Sequence, residues 1–254
     1  METTETLQAL FRWIHVVAGI LWIGLLYFFN FVNGPFAATM DGATKKVVVP
    51  ELMPRALFWF RWAALWTWVT GLLLLLLVFY HGGLMFEAGG GWGGGALLMI
   101  AVTFLAPLVY EALLGSPLGK DIKTVAAIGF VLIALVVLGF VLLGGYGYRA
   151  YVIHTGAMFG TIMAYNVWMR IWPSQRKIIT ATKEGTPPDP AVVALAGARS
   201  RHNTYLSVPL VWTMLNSHTI VPFAASPITL LAAVGIGWWA VAQLYKKAPT
   251  IKGF

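Results

Sequence analysis

Long apolar stretches alternate with short polar ones along the whole chain, and the apolar stretches have the length of membrane helices. About 20 mainly apolar residues carry an α-helix across the hydrocarbon core of a bilayer. Seven stretches come near that length: Leu7 to Phe31, Leu57 to Tyr80, Ala96 to Leu114, Val125 to Leu143, Tyr148 to Trp172, Val192 to His218, and Ile228 to Tyr245. The segments Asn33 to Pro54 and Pro173 to Pro190 are too polar to span. Gly82 to Gly95 is a glycine-rich connector without Lys or Arg, and the segments around Leu114 to Lys120 and Gly144 to Gly147 suit tight helical hairpins. The pattern predicts an all-α integral membrane protein, a bundle of about seven transmembrane helices, because a spanning segment must satisfy its own backbone hydrogen bonds. Residues 1–254 read as one transmembrane helical domain, with no room for a separate soluble one.

Charge gives the orientation. Lys45, Lys46, Arg55 and Arg61 lie at the first connection and Lys120 and Lys123 at the third. Arg170, Arg176, Lys177, Lys183, Arg199 and Arg201 lie at the fifth, and Lys246, Lys247 and Lys252 follow the last span. The opposite side keeps Arg12 and Arg149. By the positive-inside rule the N-terminus is periplasmic and the C-terminus cytoplasmic, in a multi-pass protein of the bacterial inner membrane.

Composition narrows the chemistry. The AVILMFWYC set makes up 59% of the 254 residues and charged residues 10%, far from the roughly half and quarter of soluble domains. The net charge of +8 is accounted for by cytoplasmic loops and does not call for nucleic acid. Cysteine is absent, which excludes disulfides, iron–sulfur clusters and covalent haem attachment. The acidic start Met-Glu-Thr-Thr-Glu is unlike a secretory signal, so no cleaved leader is expected. No Walker loop, dinucleotide fingerprint, His-Glu-x-x-His or nucleophile elbow occurs. The twelve tryptophans read mostly as aromatic-belt residues and Leu72 to Leu77 as lipid-facing filler.

Polar residues inside apolar spans are costly and mark sites, and the sixth stretch is the richest in them: Arg199, Arg201, His202, Asn203, Asn216 and His218. Span directions place His15, His81, His154 and His218 towards the outer leaflet. His202 is alone near the cytoplasmic side, about 24 Å from His218 at 1.5 Å per residue. Imidazoles on separate helices at one depth suit a b-type haem. His15, His154 and His218 are the candidate metal and cofactor ligands. Gly19 would let a flat macrocycle approach the first span, and Arg12 and Arg149 would meet propionates. Gly156 and Gly160 form a small-xxx-small pair that permits close helix approach. One haem fits better than two, because only His202 lies near the inner side. For each histidine alone, a helix-end cap is the bland alternative.

A second polar group lies at the inner side: Asn30, Asn33, Glu111, Asn166, Arg170, Arg201, His202 and Asn203. Amides, guanidinium groups and a histidine suit a quinone head or a small polar ring. His202, Asn203 and Arg201 are the candidate catalytic residues. Snorkelling arginines and helix-gluing asparagines are the competing explanation.

Three motifs together carry a resemblance. They are Arg-Trp-Ile-His-Val-Val-Ala-Gly-Ile-Leu-Trp-Ile-Gly at Arg12 to Gly24, His-Thr-Gly-Ala-Met-Phe-Gly-Thr-Ile-Met-Ala-Tyr-Asn-Val-Trp at His154 to Trp168, and Arg-His-Asn-Thr-Tyr-Leu-Ser-Val-Pro at Arg201 to Pro209, leading to Asn-Ser-His at Asn216 to His218. They resemble the membrane domain of the bacterial cytochrome c-linked urate oxidases, or urate hydroxylases, over nearly the whole chain. The resemblance implies electron transfer to a periplasmic cytochrome c and matches His15, His154, His202 and His218 to the family's motif histidines. Such proteins carry a C-terminal cytochrome c domain that these 254 residues lack, so a separate cytochrome or partner subunit is expected to take the electrons.

Three functions remain open on the sequence. The first is a haem b redox protein or subunit of a larger membrane complex, linking a quinone or small reductant to a periplasmic cytochrome c-type acceptor. The second is a self-contained urate oxidase-like oxidoreductase acting at the inner polar group. The third is a cofactor-free transporter or structural subunit.

Overall fold

The apolar stretches are rich in Leu, Ala and Met, which are strong helix formers, and the chain is helical nearly from end to end. The computed structural model describes residues 2–218 and 226–251, with no strand among them; Lys252 lies outside these residues. Helix α1 (Glu2–Tyr27) runs through a π turn (Phe28–Asn33) into α2 (Gly34–Thr39). Helix α3 (Gly42–Leu74) ends in a second π turn (Leu75–Tyr80). Helices α4 (Gly94–Gly115) and α5 (Ile122–Leu142) follow. Helix α6 (Tyr148–Tyr165) continues through a third π turn (Asn166–Ile171) into α7 (Trp172–Glu184). Helices α8 (Pro190–Asn216) and α9 (Pro227–Lys247) close the chain.

Among the described residues, five helical stretches are long and apolar enough to cross a membrane: Thr3–Thr39, Gly42–Tyr80, Gly94–Gly115, Ile122–Leu142 and Pro227–Thr250. The other two expected spans also fold as helices, α6 and α8, but their Arg, His, Asn and Thr residues lower their mean hydropathy below that of the five. The 37-residue stretch Thr3–Thr39 measures about 55 Å at 1.5 Å per residue, well beyond a hydrocarbon core of about 30 Å.

Two polar segments expected as connectors are largely helical. Helix α3 starts at Gly42 and contains Pro50 and Pro54, and α7 occupies most of the segment after Trp172. Polarity keeps a segment out of lipid without preventing a helix, since Lys, Arg, Gln and Glu propagate helices well. Each internal proline removes only one backbone hydrogen bond. Helix α7 ends at Gly185, whose φ of 76° is the left-handed conformation that glycine adopts without strain.

The chain forms two compact units, one of Leu72–Ile162 with Val208–Gly237, the other of Glu2–Gly71, Met163–Ser207 and Trp238–Phe254. Helices α3, α6, α8 and α9 contribute to both. In the first unit α8 packs directly on the glycines of α6. A Cβ at Gly156 would strike Thr213 and Met214, and one at Gly160 would touch Leu210 at 3.4 Å. The small-xxx-small pair therefore does permit close helix approach, as expected. Tyr146 stacks on Phe140 at 5.2 Å and donates to the Ala96 carbonyl at 2.8 Å. Leu75 is buried, so the leucine run is not wholly a lipid-facing surface. The core of the second unit holds Trp22, Leu26, Leu57, Phe60 and Ala64, with Phe29 edge-on to Phe60 at 5.3 Å.

Candidate functional site

The π turn at the end of α1 opens the helix by one residue per turn, a device that re-aims side chains and recurs at functional sites. Here it carries Asn30 and Asn33. The Asn30 amide donates to the Leu26 carbonyl at 2.9 Å and to Ser200 Oγ at 2.8 Å, while the Tyr245 hydroxyl donates to Asn30 Oδ1 at 2.8 Å. One asparagine thus ties α1, α8 and α9 together. Tyr27 adds a bond to Ser207 Oγ at 3.0 Å. The Tyr245 ring lies parallel to Tyr205 at 5.9 Å, edge-on to Phe31 at 5.2 Å, and under the Arg201 guanidinium at 5.1 Å.

Beside this knot, within the second unit, lies a cleft of about 440 Å³. Its polar lining is Asn30, Asn33, Gln175, Ser200, Arg201 and Tyr245, and its walls include Phe29, Phe60, Leu57, Met53 and Ile171. Among the described residues the lining has one cation, Arg201, and no carboxylate. Ser200 Oγ accepts from Asn30 and keeps its own proton for a guest. The Asn33 amide has only a weak sulfur acceptor, Met53 at 3.6 Å, and Gln175 is half-buried at the rim. Flat aromatic walls with amides, a hydroxyl and a guanidinium suit a small, planar, anionic ring with carbonyl and N–H edges.

Of the three candidate catalytic residues, Arg201 lines the cleft. His202 is half-buried on α8 and is not part of the lining. Asn203 is fully buried; it donates to the Met163 carbonyl at 3.0 Å and accepts from Asn166 at 2.9 Å. Arg199, also buried, reaches Asn166 Oδ1 at 3.4 Å. That trio joins α6 to α8, and Glu111 belongs to the other unit.

The histidines divide between the units. His154 is completely buried in the first, ringed by Tyr146 at 4.9 Å, Tyr80 at 5.7 Å, Phe140 at 5.9 Å and Phe79 at 6.4 Å. Its Nδ1 lies 2.7 Å from the Ala150 carbonyl, which can only accept, so Nδ1 carries the proton. Nε2 then accepts from the Tyr80 hydroxyl at 3.0 Å. His15 belongs to the second unit and lies against Gly71, where a Cβ would come within 2.9 Å of its Cε1. Its Nδ1 meets Thr70 Oγ1 at 3.2 Å. That hydroxyl already donates to the Trp66 carbonyl at 2.6 Å, so here too Nδ1 is the donor. His218 is exposed at the end of α8, and His81 is exposed after the second π turn. Arg12 and Arg149 are exposed, and Gly19 faces Thr67 at 3.8 Å.

Metal-binding histidines usually pin Nδ1–H on a carbonyl or hydroxyl and present Nε2. His15 and His154 share that tautomer, which leaves Nε2 as the remaining ring nitrogen in each, and in His154 that nitrogen is taken by the Tyr80 hydroxyl. No cluster of three or more His, Asp or Glu suited to a bare metal ion occurs among the described residues. Sequence reasoning missed Tyr80, Gln175, Ser200 and Tyr245. In the sequence Tyr245 is only the end of the last apolar stretch, and Gln175 lies in a segment read as connector.

A family model described as Urate oxidase N-terminal matches residues 40–248. No curated protein and no solved structure matches the chain.

Proposed function

The chain belongs to the urate oxidase N-terminal family, and on that premise we propose that it is a membrane oxidoreductase oxidising urate, or a closely related oxopurine, in the Asn30–Arg201–Tyr245 cleft. The observation that carries this reading is the lining: one guanidinium, no carboxylate, and amides above aromatic walls. Urate is a planar monoanion at neutral pH whose rim alternates carbonyl and N–H groups. Arg201 balances its charge, Gln175 and Asn33 read its edge, and Ser200 donates from a hydroxyl that Asn30 holds in place. The seven-span, single-domain arrangement with a periplasmic N-terminus in a bacterial inner membrane belongs to the same reading, supported by the loop charges and the apolar helices.

Oxidation releases electrons, and the proposed acceptor is a periplasmic cytochrome c or a partner redox subunit. A second reading places a haem b in the chain as the one-electron relay, with a quinone as the other partner. Its support is the shared Nδ1–H tautomer of His15 and His154. Taken one at a time, His154 and His15 would each offer Nε2 to an iron, with His218 as the alternative ligand.

The test uses purified protein with urate and either cytochrome c or ferricyanide, following loss of urate absorbance. Arg201→Gln and Gln175→Ala should each raise KM about tenfold or more, the loss of one hydrogen bond to a charged guest. No urate turnover with either acceptor, or an unchanged KM in Arg201→Gln, refutes the cleft assignment. A reduced-minus-oxidised spectrum of the same sample decides the haem reading, and its reduction by urate under anaerobic conditions links the two.

A further inference from the structure

The apolar part of α3 carries one charged side chain, Arg61, only a turn inside Leu57. A charge at membrane depth is retained when it has a partner. Among the described residues, the ion pair found is Arg55 with Glu51; Arg61 has no carboxylate, and its Nε is buried without a hydrogen-bond acceptor. The guanidinium is nonetheless held in place. It lies 3.9 Å over the Trp172 ring, with Phe58 at 5.6 Å and Trp168 at 5.9 Å, and Trp168 Nε1 donates to the Arg61 carbonyl at 3.1 Å. Aromatic faces attract the cation but do not balance its charge, and Nε keeps no oxygen acceptor.

We propose that the surface where α3 meets the α6–α7 junction binds the phosphate of an anionic phospholipid, with Arg61 as its counter-ion. An unesterified pair of phosphate oxygens matches the planar guanidinium fork. Phosphatidylcholine brings its own quaternary ammonium to its phosphate, so it gains less than an anionic lipid from the uncompensated Arg61 charge. The flank selects a lipid over a free ion. Phe58, Trp59, Trp62 and Trp66 on α3 and Met169 beyond α6 are exposed, an apolar wall that acyl chains cover and a hydrated anion does not. This site is separate from the cleft lining and does not depend on which reaction the chain performs.

Delipidated protein is titrated with phosphatidylglycerol and, separately, phosphatidylcholine, with native mass spectrometry counting bound lipids. Phosphatidylglycerol should bind the wild type at least fivefold more tightly. Arg61→Gln should erase that preference, and Arg61→Lys, which keeps the charge without the fork, should retain part of it. Inorganic phosphate at millimolar concentration should not displace the lipid. Equal binding of both lipids, an unchanged preference in Arg61→Gln, or displacement by inorganic phosphate overturns the proposal. Should Arg61→Gln fail to fold, a photoactivatable phosphatidylglycerol on wild-type protein decides: labelling between Phe58 and Trp66 or at Met169 supports the site, and labelling confined to other segments overturns it.

Discussion

Replacing Tyr80 by Phe removes one oxygen atom from the first unit and leaves a buried imidazole half satisfied. His154 has no exposed surface, its Nδ1–H is committed to Ala150, and the Tyr80 hydroxyl is the partner of Nε2. The phenylalanine ring keeps the 5.7 Å contact with the imidazole, so packing changes little and the hydrogen bond is the main loss. An orphaned buried acceptor costs about 1–3 kcal/mol. For a chain of this size each kcal/mol moves Tm by roughly 2–4 °C, giving a drop of about 2–12 °C. Melting followed by circular dichroism in one detergent measures it. The same substitution in a His154→Leu background should cost almost nothing, because no acceptor remains to be orphaned. A drop below about 1 °C, or an equal drop in both backgrounds, would refute the account of Nε2. Haem content provides an independent reading: Tyr80→Phe clears the nitrogen that an iron would need, so bound haem should stay level or rise.

Gly71→Val should displace the His15 ring, since even a Cβ would lie 2.9 Å from Cε1; overpacking of this kind costs about 1–3 kcal/mol, read as a lowered Tm that His15→Ala largely restores. Asp121 caps α5 by accepting from the Thr124 hydroxyl and amide and the Lys123 amide. These bonds hold its carboxyl below the usual range, the Thr124 side chain contributing most. A lowered folded pKa means the cap is fully formed above the ordinary carboxylate range and lost as pH falls through the folded value. Protection factors of the Lys123 and Thr124 amides, taken relative to their intrinsic exchange at each pH, should therefore fall on acidification and stay level in Asp121→Asn.

The helices were legible because length and apolarity act on every residue of a span, whereas the site was legible only where polarity broke that pattern. Asn30 and Asn33 stood out against apolar neighbours, Arg201 as one of a cluster of charged and polar residues in an otherwise apolar stretch, and all three line the cleft. Gln175 and Ser200 did not, because each is unremarkable in a polar or small-residue segment and gains meaning only from what α1 brings beside it. Asn203 drew attention for the right physical reason, a costly polar group, but that cost is met by Asn166 and a backbone carbonyl. Hydropathy reports where a segment can reside and is silent on its backbone, so the helices α7 and early α3, set by propensity, were not legible from it. The tautomers of His15 and His154 depended on acceptors 55 residues and four residues away in sequence, and only the shorter of these spacings has a helical signature.

Both N–H groups of Asn30 are spent within the protein before any guest arrives, so one wall of the cleft is finished at the moment of folding. Ordering that wall adds nothing to the entropy of capture, and the opposite rim, Gln175 and Arg201, is left to adapt to what enters. A variant of Asn30 should accordingly weaken all guests alike and keep their rank order, whereas changes at the rim should reshuffle it.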